Sequence, residues 1–282
     1  MQVIDSHVSV SDGVGLHVRR WPGGPGRPMI LVHGLSSNAR LWDEVAALVA
    51  AAGHDAVAID LRSHGLSDAP ADGYDTATAA DDVAAVADAL GISGAVVAGQ
   101  SWGGNVVVQL AARHPSVVAA LALIDGGFSD MSSAFPSWEA AEKALRPPDI
   151  DGSSAETIRG YFRSSHPDWS DTAIDATLAN LAVADDGTVT RRLSIPHHMQ
   201  IARSMWEDPP QRYYPDVHVP VLLMPAIGSI GSVEDRRARV KAAAAALPDA
   251  TVHEFVGADH DIHAQHPDAV AADLLALAEK VS

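Results

Sequence analysis

Ser101 stands in Gly99-Gln100-Ser101-Trp102-Gly103-Gly104, where the apolar run Ala95-Val96-Val97-Ala98 gives way to glycines and then to the helical pattern of Asn105-Val106-Val107-Val108. Strand, sharp turn and helix in that order hold a serine with its hydroxyl out of the sheet, in strained backbone geometry for which small residues two before and two after make room. The helix that starts there aims unpaired amides and the positive end of its dipole at the spot where an oxyanion forms during acyl transfer. Nucleophilic attack on a carbonyl is the chemistry such a turn suits. A Gly-x-Ser-x-Gly match also arises by chance around an idle serine; the strand before it, the helix after it and a histidine far downstream favour the nucleophile.

A serine hydroxyl needs a base within hydrogen-bond reach, and the base needs an orienting carboxylate. In a parallel sheet the carboxyl ends of the strands share one edge, and ligands bind there, so residues just past strand ends are the candidates. Of fourteen histidines, His260 follows the last expected strand in Val256-Gly257-Ala258-Asp259-His260. His263 is the second choice, and His253, inside that strand, reads as packed or exposed. Read blandly, His260, His263 and His266 are a solvated loop and helix start; no third ligand set accompanies them, so no metal is expected. For the acid, Asp125 comes directly after the apolar run ending at Ile124, one strand along from the serine. Glu234 and Asp235 are its rivals, although they lie at a helix start where they favour the dipole. The stretch between Met224 and Val233 carries no carboxylate. The backbone amides of Leu35, after His33-Gly34, and of Trp102 are the expected oxyanion donors, each worth about 3 kcal/mol of barrier.

The elements that must position these groups alternate. Val3 to Val10 and Val14 to Trp21 read as a hairpin about Ser11-Asp12-Gly13, and Met29-Ile30-Leu31-Val32, beyond a Pro22 to Gly26 turn, is a buried strand. A helix from Asn38 to Ala52, a strand Ala56 to Asp60 and a helix Thr78 to Leu90 follow, then the serine turn and the strand Ala120 to Ile124. Strand-helix repeats with short links imply a parallel sheet with right-handed crossovers and helices on both faces. From about Phe128 to Tyr214 prolines and helical periodicity replace buried strands, and the strand pattern resumes at Val219 to Met224 and Thr251 to Val256. The expected organisation is an α/β core of residues 1–127 and 215–282 split by a helical cap of residues 128–214.

The 282 residues suit one large α/β domain with such an insertion. A net charge of -17 argues against nucleic acid and anionic membranes as partners and favours a neutral or apolar small molecule. Without cysteine there is no disulfide, thiolate nucleophile or Cys-ligated zinc. The opening Met1-Gln2-Val3-Ile4-Asp5 has neither a basic leader nor an apolar core, and a cytoplasmic protein is expected.

His33-Gly34 after one strand, Asp60-Leu61-Arg62-Ser63-His64-Gly65-Leu66-Ser67 after the next, Gly99-Gln100-Ser101-Trp102-Gly103-Gly104 and Gly257-Ala258-Asp259-His260 together resemble the α/β-hydrolase superfamily. The resemblance covers the core on both sides of the cap. It implies Ser101 as nucleophile, His260 as base, the Leu35 and Trp102 amides as oxyanion donors, and His33 and Arg62 as loop supports. The acid departs from the commoner pattern: the loop after the seventh strand lacks one, and Asp125 matches members that hold it after the sixth. Dehalogenases and epoxide hydrolases need an aspartate where Ser101 stands, which sets both aside. The expected activity is hydrolysis of a hydrophobic carboxylic ester or lactone through an acyl-enzyme, with no cofactor and with Trp138, Phe128 and Trp206 as pocket candidates. Carbon-carbon bond hydrolysis, perhydrolysis, peptidase action and a non-catalytic small-ligand receptor are the alternatives on the same residues.

Overall fold

A computed structural model describes residues 2–228 and 231–282, so positions 229 and 230 of the carboxylate-free stretch after Met224 lie outside the described residues. Strand β1 (Ile4–Ser9) runs antiparallel to the start of β2 (Gly15–Val32), joined by a 3-10 turn at Ser11–Gly13. The sequence pattern separates Val14–Trp21 from Met29–Val32, but in the structure both belong to one irregular strand folded around β3 (His54–Ile59). Val18 lies opposite Ile59 and Trp21 opposite Ala56, whereas Met29 lies opposite Ala56 and Val32 opposite Ile59, so the two halves flank β3 in opposite senses.

The sheet continues in parallel through β4 (Ala95–Gln100) and β5 (Val118–Ile124). Outside it, β6 (Leu181–Val183) and β7 (Val189–Arg191) form an antiparallel hairpin. The sheet resumes with β8 (Val221–Met224), followed by β9 (Ala226–Ile227), and β10 (Ala250–Val252) and β11 (Phe255–Val256) pair in parallel with β8 and β9 respectively. Thr251 to Val256, one strand in the sequence pattern, is thus two pieces with a bend at His253 and Glu254.

Successive side chains of a strand point to opposite faces, and the core divides accordingly. Ile30, Val32, Val97, Leu121 and Leu123 meet helices α2 (Thr76–Ala89) and α3 (Trp102–Arg113) on one face; Leu31, Ala98, Ala122 and Ile124 meet α1 (Asp43–Ala51) and α11 (Pro267–Lys280) on the other. Burial on both faces explains why the strands read as unbroken apolar runs, and each buried Val, Leu or Ile contributes about 1.5–3 kcal/mol.

Between β5 and β8 the chain leaves the sheet for α4 (Met131–Ala134), α5 (Trp138–Leu145), α6 (Ala155–Ser165), α7 (Asp171–Leu178) and α8 (Ile195–Glu207), with the β6–β7 hairpin between α7 and α8. Asp130, Ser137, Ser154, Ser170 and Ser194 cap these helices, each side chain accepting from an amide of the first turn. The hairpin is a feature the all-helical reading of this region lacks. Polar contacts tie the segment to the sheet loops: Asn38 Nδ2 donates to the Ala176 carbonyl and to Asn180 Oδ1, at 2.8 and 2.7 Å, and Ser170 Oγ donates to Glu44 at 2.6 Å. Helix α9 (Val233–Ala246) follows β9, and α10 (Ile262–Gln265) follows β11. Among the described residues no helix is long and apolar enough to cross a membrane.

Candidate active site

Ser101 stands between β4 and α3, as the residue that caps the helix, with φ 53° and ψ -119°, backbone that side-chain-bearing residues rarely adopt. The turn is tight because β4 and α3 touch: a Cβ at Gly99 would lie 2.2 Å from the Gly103 carbonyl oxygen, and one at Gly103 would lie 2.4 Å from that of Val32. The Ser101 amide donates to the Ile124 carbonyl at 3.0 Å, which ties the corner to the end of β5.

Asp125 is the next residue after that strand. Its amide donates to Met224 O at 3.0 Å and its φ is 45°, a second strained position at the same sheet edge. Its carboxylate is fully buried and accepts from three directions. Oδ2 faces His260 Nδ1 at 2.6 Å; Oδ1 takes the Ala226 amide at 2.8 Å and the Arg236 guanidinium. With its Nδ1 proton donated to Asp125, His260 presents an unprotonated Nε2, which makes no hydrogen bond among the described residues. The His260 carbonyl accepts from Gln100 Nε2 at 3.3 Å, so the residue before the serine holds the histidine loop. Ser101 and His260 line the same two cavities.

The rival residues lie elsewhere. Glu234 and Asp235 are exposed on the first turn of α9, which turns the neighbouring Arg236 inward instead. His263 is fully buried with its ring 4.3 Å from that of Trp42, and neither ring nitrogen has a hydrogen-bond partner among the described residues. Burial first, then the charges of His260 and His33, lower its pKa to about 3. His253 pairs with Asp273 at 2.6 Å at the surface.

His33 fixes the loop that carries Leu35. Its Nδ1 donates to the Gly34 carbonyl at 2.7 Å while Nε2 accepts the Leu61 amide at 3.0 Å, so the buried ring is neutral, in keeping with a pKa lowered by burial. In a trans peptide C=O and N–H point opposite ways, so tying down the Gly34 carbonyl also orients the Leu35 amide. The Trp102 amide is the first of α3, and the Trp102 ring is anchored by Nε1 donating to Thr76 Oγ1 at 3.1 Å. Neither amide has an acceptor among the described residues.

The alpha/beta hydrolase family profile matches residues 29–273. The chain belongs to the alpha/beta hydrolase family. It is 30% identical to N-formylmaleamate deformylase of Pseudomonas putida over 233 residues, 80% of this chain and 79% of that one. It is also 38% identical to a non-heme chloroperoxidase of Streptomyces lividans over 118 residues, but that match spans only 42% of this chain and 43% of the relative. Among solved structures, E-2-(acetamidomethylene)succinate hydrolase superposes with a TM-score of 0.83 over 99% of this chain and 100% of the other, at 24% identity, and shares the fold.

In this family member two cavities meet at Ser101 and His260. The first, about 350 Å³, is walled chiefly by Ile158, Tyr161, Phe162, Trp169 and Leu181, with Arg191 and Asp261 among its charged groups. The second, about 340 Å³, lies toward Met131, Leu145, Ala202 and Met205 and reaches Asn105, Asp125 and Arg236. Phe128, Trp138 and Trp206, expected in the pocket, line neither cavity. Phe128 is buried in the core under the Arg236 guanidinium, and Trp138 and Trp206 face one another across α5 and α8 at 6.1 Å. Large aromatics on short helices close helix-helix contacts first; the wall falls instead to α6, α7 and the hairpin.

The electrostatics suit acyl transfer. Burial pulls the His260 pKa down, but the hydrogen bond to Asp125 and the charges of Asp261 and Asp125 outweigh it, so the pKa lies above that of a free histidine; Arg236 opposes part of the rise. Among the described residues no three His, Cys, Asp or Glu side chains are grouped to hold a metal. Arg236, Arg191, Gln100 and Asn105 are the site residues that the sequence reading passes over.

Proposed function

We propose that this chain is a serine hydrolase that cleaves a small, largely apolar carboxylic ester or lactone through an acyl-enzyme, under a cap formed by residues 128–214. Ser101 Oγ attacks the carbonyl carbon as His260 Nε2 takes its proton; the Leu35 and Trp102 amides receive the oxyanion, and His260 returns the proton to the leaving oxygen. Water activated by the same imidazole then releases the acid, and Asp125 holds the ring in the Nδ1–H tautomer throughout. The observation that carries this reading is the 2.6 Å contact between His260 Nδ1 and the buried Asp125 carboxylate, with Nε2 left as acceptor and the ring lining the same cavities as Ser101.

The test is turnover of a panel of p-nitrophenyl esters, lactones, amides and vinylogous diketones, with intact-mass trapping of the acyl-enzyme. Ester or lactone turnover with a trapped adduct on Ser101 is the expected result. The Ser101→Ala variant should lose about four to six orders of magnitude in kcat. Unchanged turnover in that variant would overturn the nucleophile, and turnover confined to the diketones would overturn the ester reading. Amides belong in the panel because a relative matched over 80% of the chain is named N-formylmaleamate deformylase.

A further inference from the structure

We propose that the larger cavity binds a substrate bearing a second, uncleaved carboxylate, and that Arg191 is the residue that reads it. The inference names the substrate class of the acyl-transfer site above and rests on that reading for the reaction, though not for binding.

Arg191 ends β7 and lines the cavity that contains Ser101. One Nη donates to the Pro148 carbonyl at 2.9 Å, while Nε is out of solvent contact and has no hydrogen-bond partner among the described residues. In a chain with 36 acidic residues against 19 basic ones, most arginines find a carboxylate: Arg20 pairs with Asp55, Arg62 with Asp82, Arg113 with Asp81 and Arg237 with Glu254. Among the described residues Arg191 has no such partner. A buried Nε without an acceptor is costly, and a planar carboxylate supplies both the charge and the acceptors that the fork lacks.

Its place on the wall fits that use. Arg191 and Asn180 also border a small neighbouring cleft with His64 and Gly65 that reaches neither Ser101 nor His260. Arg191 thus stands where the cavity adjoins that cleft, with Tyr161, Phe162 and Leu181 lining the space for the substrate body. The hairpin holds it there: Arg191 pairs with Leu181 across the strands, and its amide donates to Asp151 at 3.1 Å. The other ionisable groups facing the cavity are Tyr161, His166, His260 and Asp261, and His166 is already paired with Asp259 at 2.8 Å. Asp261 adjoins His260 at the catalytic end, its carboxyl pKa raised by burial, whereas Arg191 supplies a fixed positive charge on the wall. The net charge of -17 acts over the whole surface and is screened within about 8 Å at physiological salt; it slows the approach of an anion without setting how one sits in the cavity.

Binding tests this without turnover. In the Ser101→Ala protein, calorimetry with monomethyl glutarate and with dimethyl glutarate should show the half-ester bound about tenfold tighter or more. Adding Arg191→Gln should abolish that difference, and adding Arg191→Lys should restore part of it and serves if the glutamine variant does not fold. Equal affinities, no measurable binding of the half-ester, or a preference that survives Arg191→Gln would overturn the proposal. Wild-type hydrolysis of the p-nitrophenyl half-ester of glutarate, run in parallel, separates the two readings: selective binding without turnover would refute the reaction and support the subsite.

Discussion

His260 and Arg236 share one carboxylate at Asp125, and the carboxylate and the guanidinium act on His260 in opposite directions. The carboxylate raises the imidazole pKa, whereas the Arg236 guanidinium on its other oxygen lowers it, and the net displacement is upward. A general base works only when neutral, so with His260 in the proposed role the acid limb of kcat/KM follows its pKa in the free protein. Asp125→Asn removes the raising charge and should move that limb to lower pH, while kcat falls by about 10⁴. Arg236→Met removes the lowering charge and should move it to higher pH. A pH profile of each variant, with the His260 ring followed by NMR, checks the signs; shifts in the same direction would refute the account. Asp125 was legible because it follows its strand without a gap. Arg236 was not, because the turn that carries it reads as an acidic helix start, Glu234-Asp235, which the dipole favours. The readable signal was the cation directly after that pair, a local exception of the kind that marks functional positions.

At the scale of elements, the loops at the sheet edge are held by polar clamps. Arg62, in the loop after β3, reaches α2 with Nε and Nη2 on the two oxygens of Asp82, at 2.6 and 2.9 Å, and both side chains are buried. Burial raises the pKa of Asp82 even against the pull of Arg62, so the pair fixes geometry more than it stabilises. Breaking it is another matter, since a lone buried cation remains. Asp82→Asn should cost about 3–5 kcal/mol in chemical denaturation, and a loss under 1 kcal/mol would show that the loop is held by other contacts. The β6–β7 hairpin was the least legible element. Its strands are three residues each, too short for a period to show, and the cue was the turn pair Asp186-Gly187 between Val183 and Val189. Missing the hairpin also meant missing Arg191 at its end. The β2 irregularity escaped for a related reason: Pro22 to Gly26 reads as punctuation between strands, whereas the chain bends there and continues pairing with β3.

For the whole molecule, the sheet was legible because strands buried on both faces leave unbroken apolar runs, and its parallel topology brings their ends to one edge. Distant residues such as Ser101, Asp125 and His260 could thus be placed at that edge from the sequence. The segment between β5 and β8 was legible only as a region, since which aromatic faces the cavity depends on helix-helix contacts that no local pattern encodes: Tyr161, Phe162 and Trp169 line it, while Trp138 and Trp206 meet one another. Stability and chemistry also conflict at this scale. Backbone held as at Ser101 costs about 1–3 kcal/mol, of which glycine recovers most, less about 0.5–1 kcal/mol for its greater freedom when unfolded. Ser101→Gly should therefore melt a few degrees above Ser101→Ala, which keeps the strain; equal melting points in calorimetry would show the turn to be unstrained. Because the same substitution removes the hydroxyl proposed to react, a library of this protein sorted only by survival of heating would on that reading enrich sturdier chains that no longer turn over substrate.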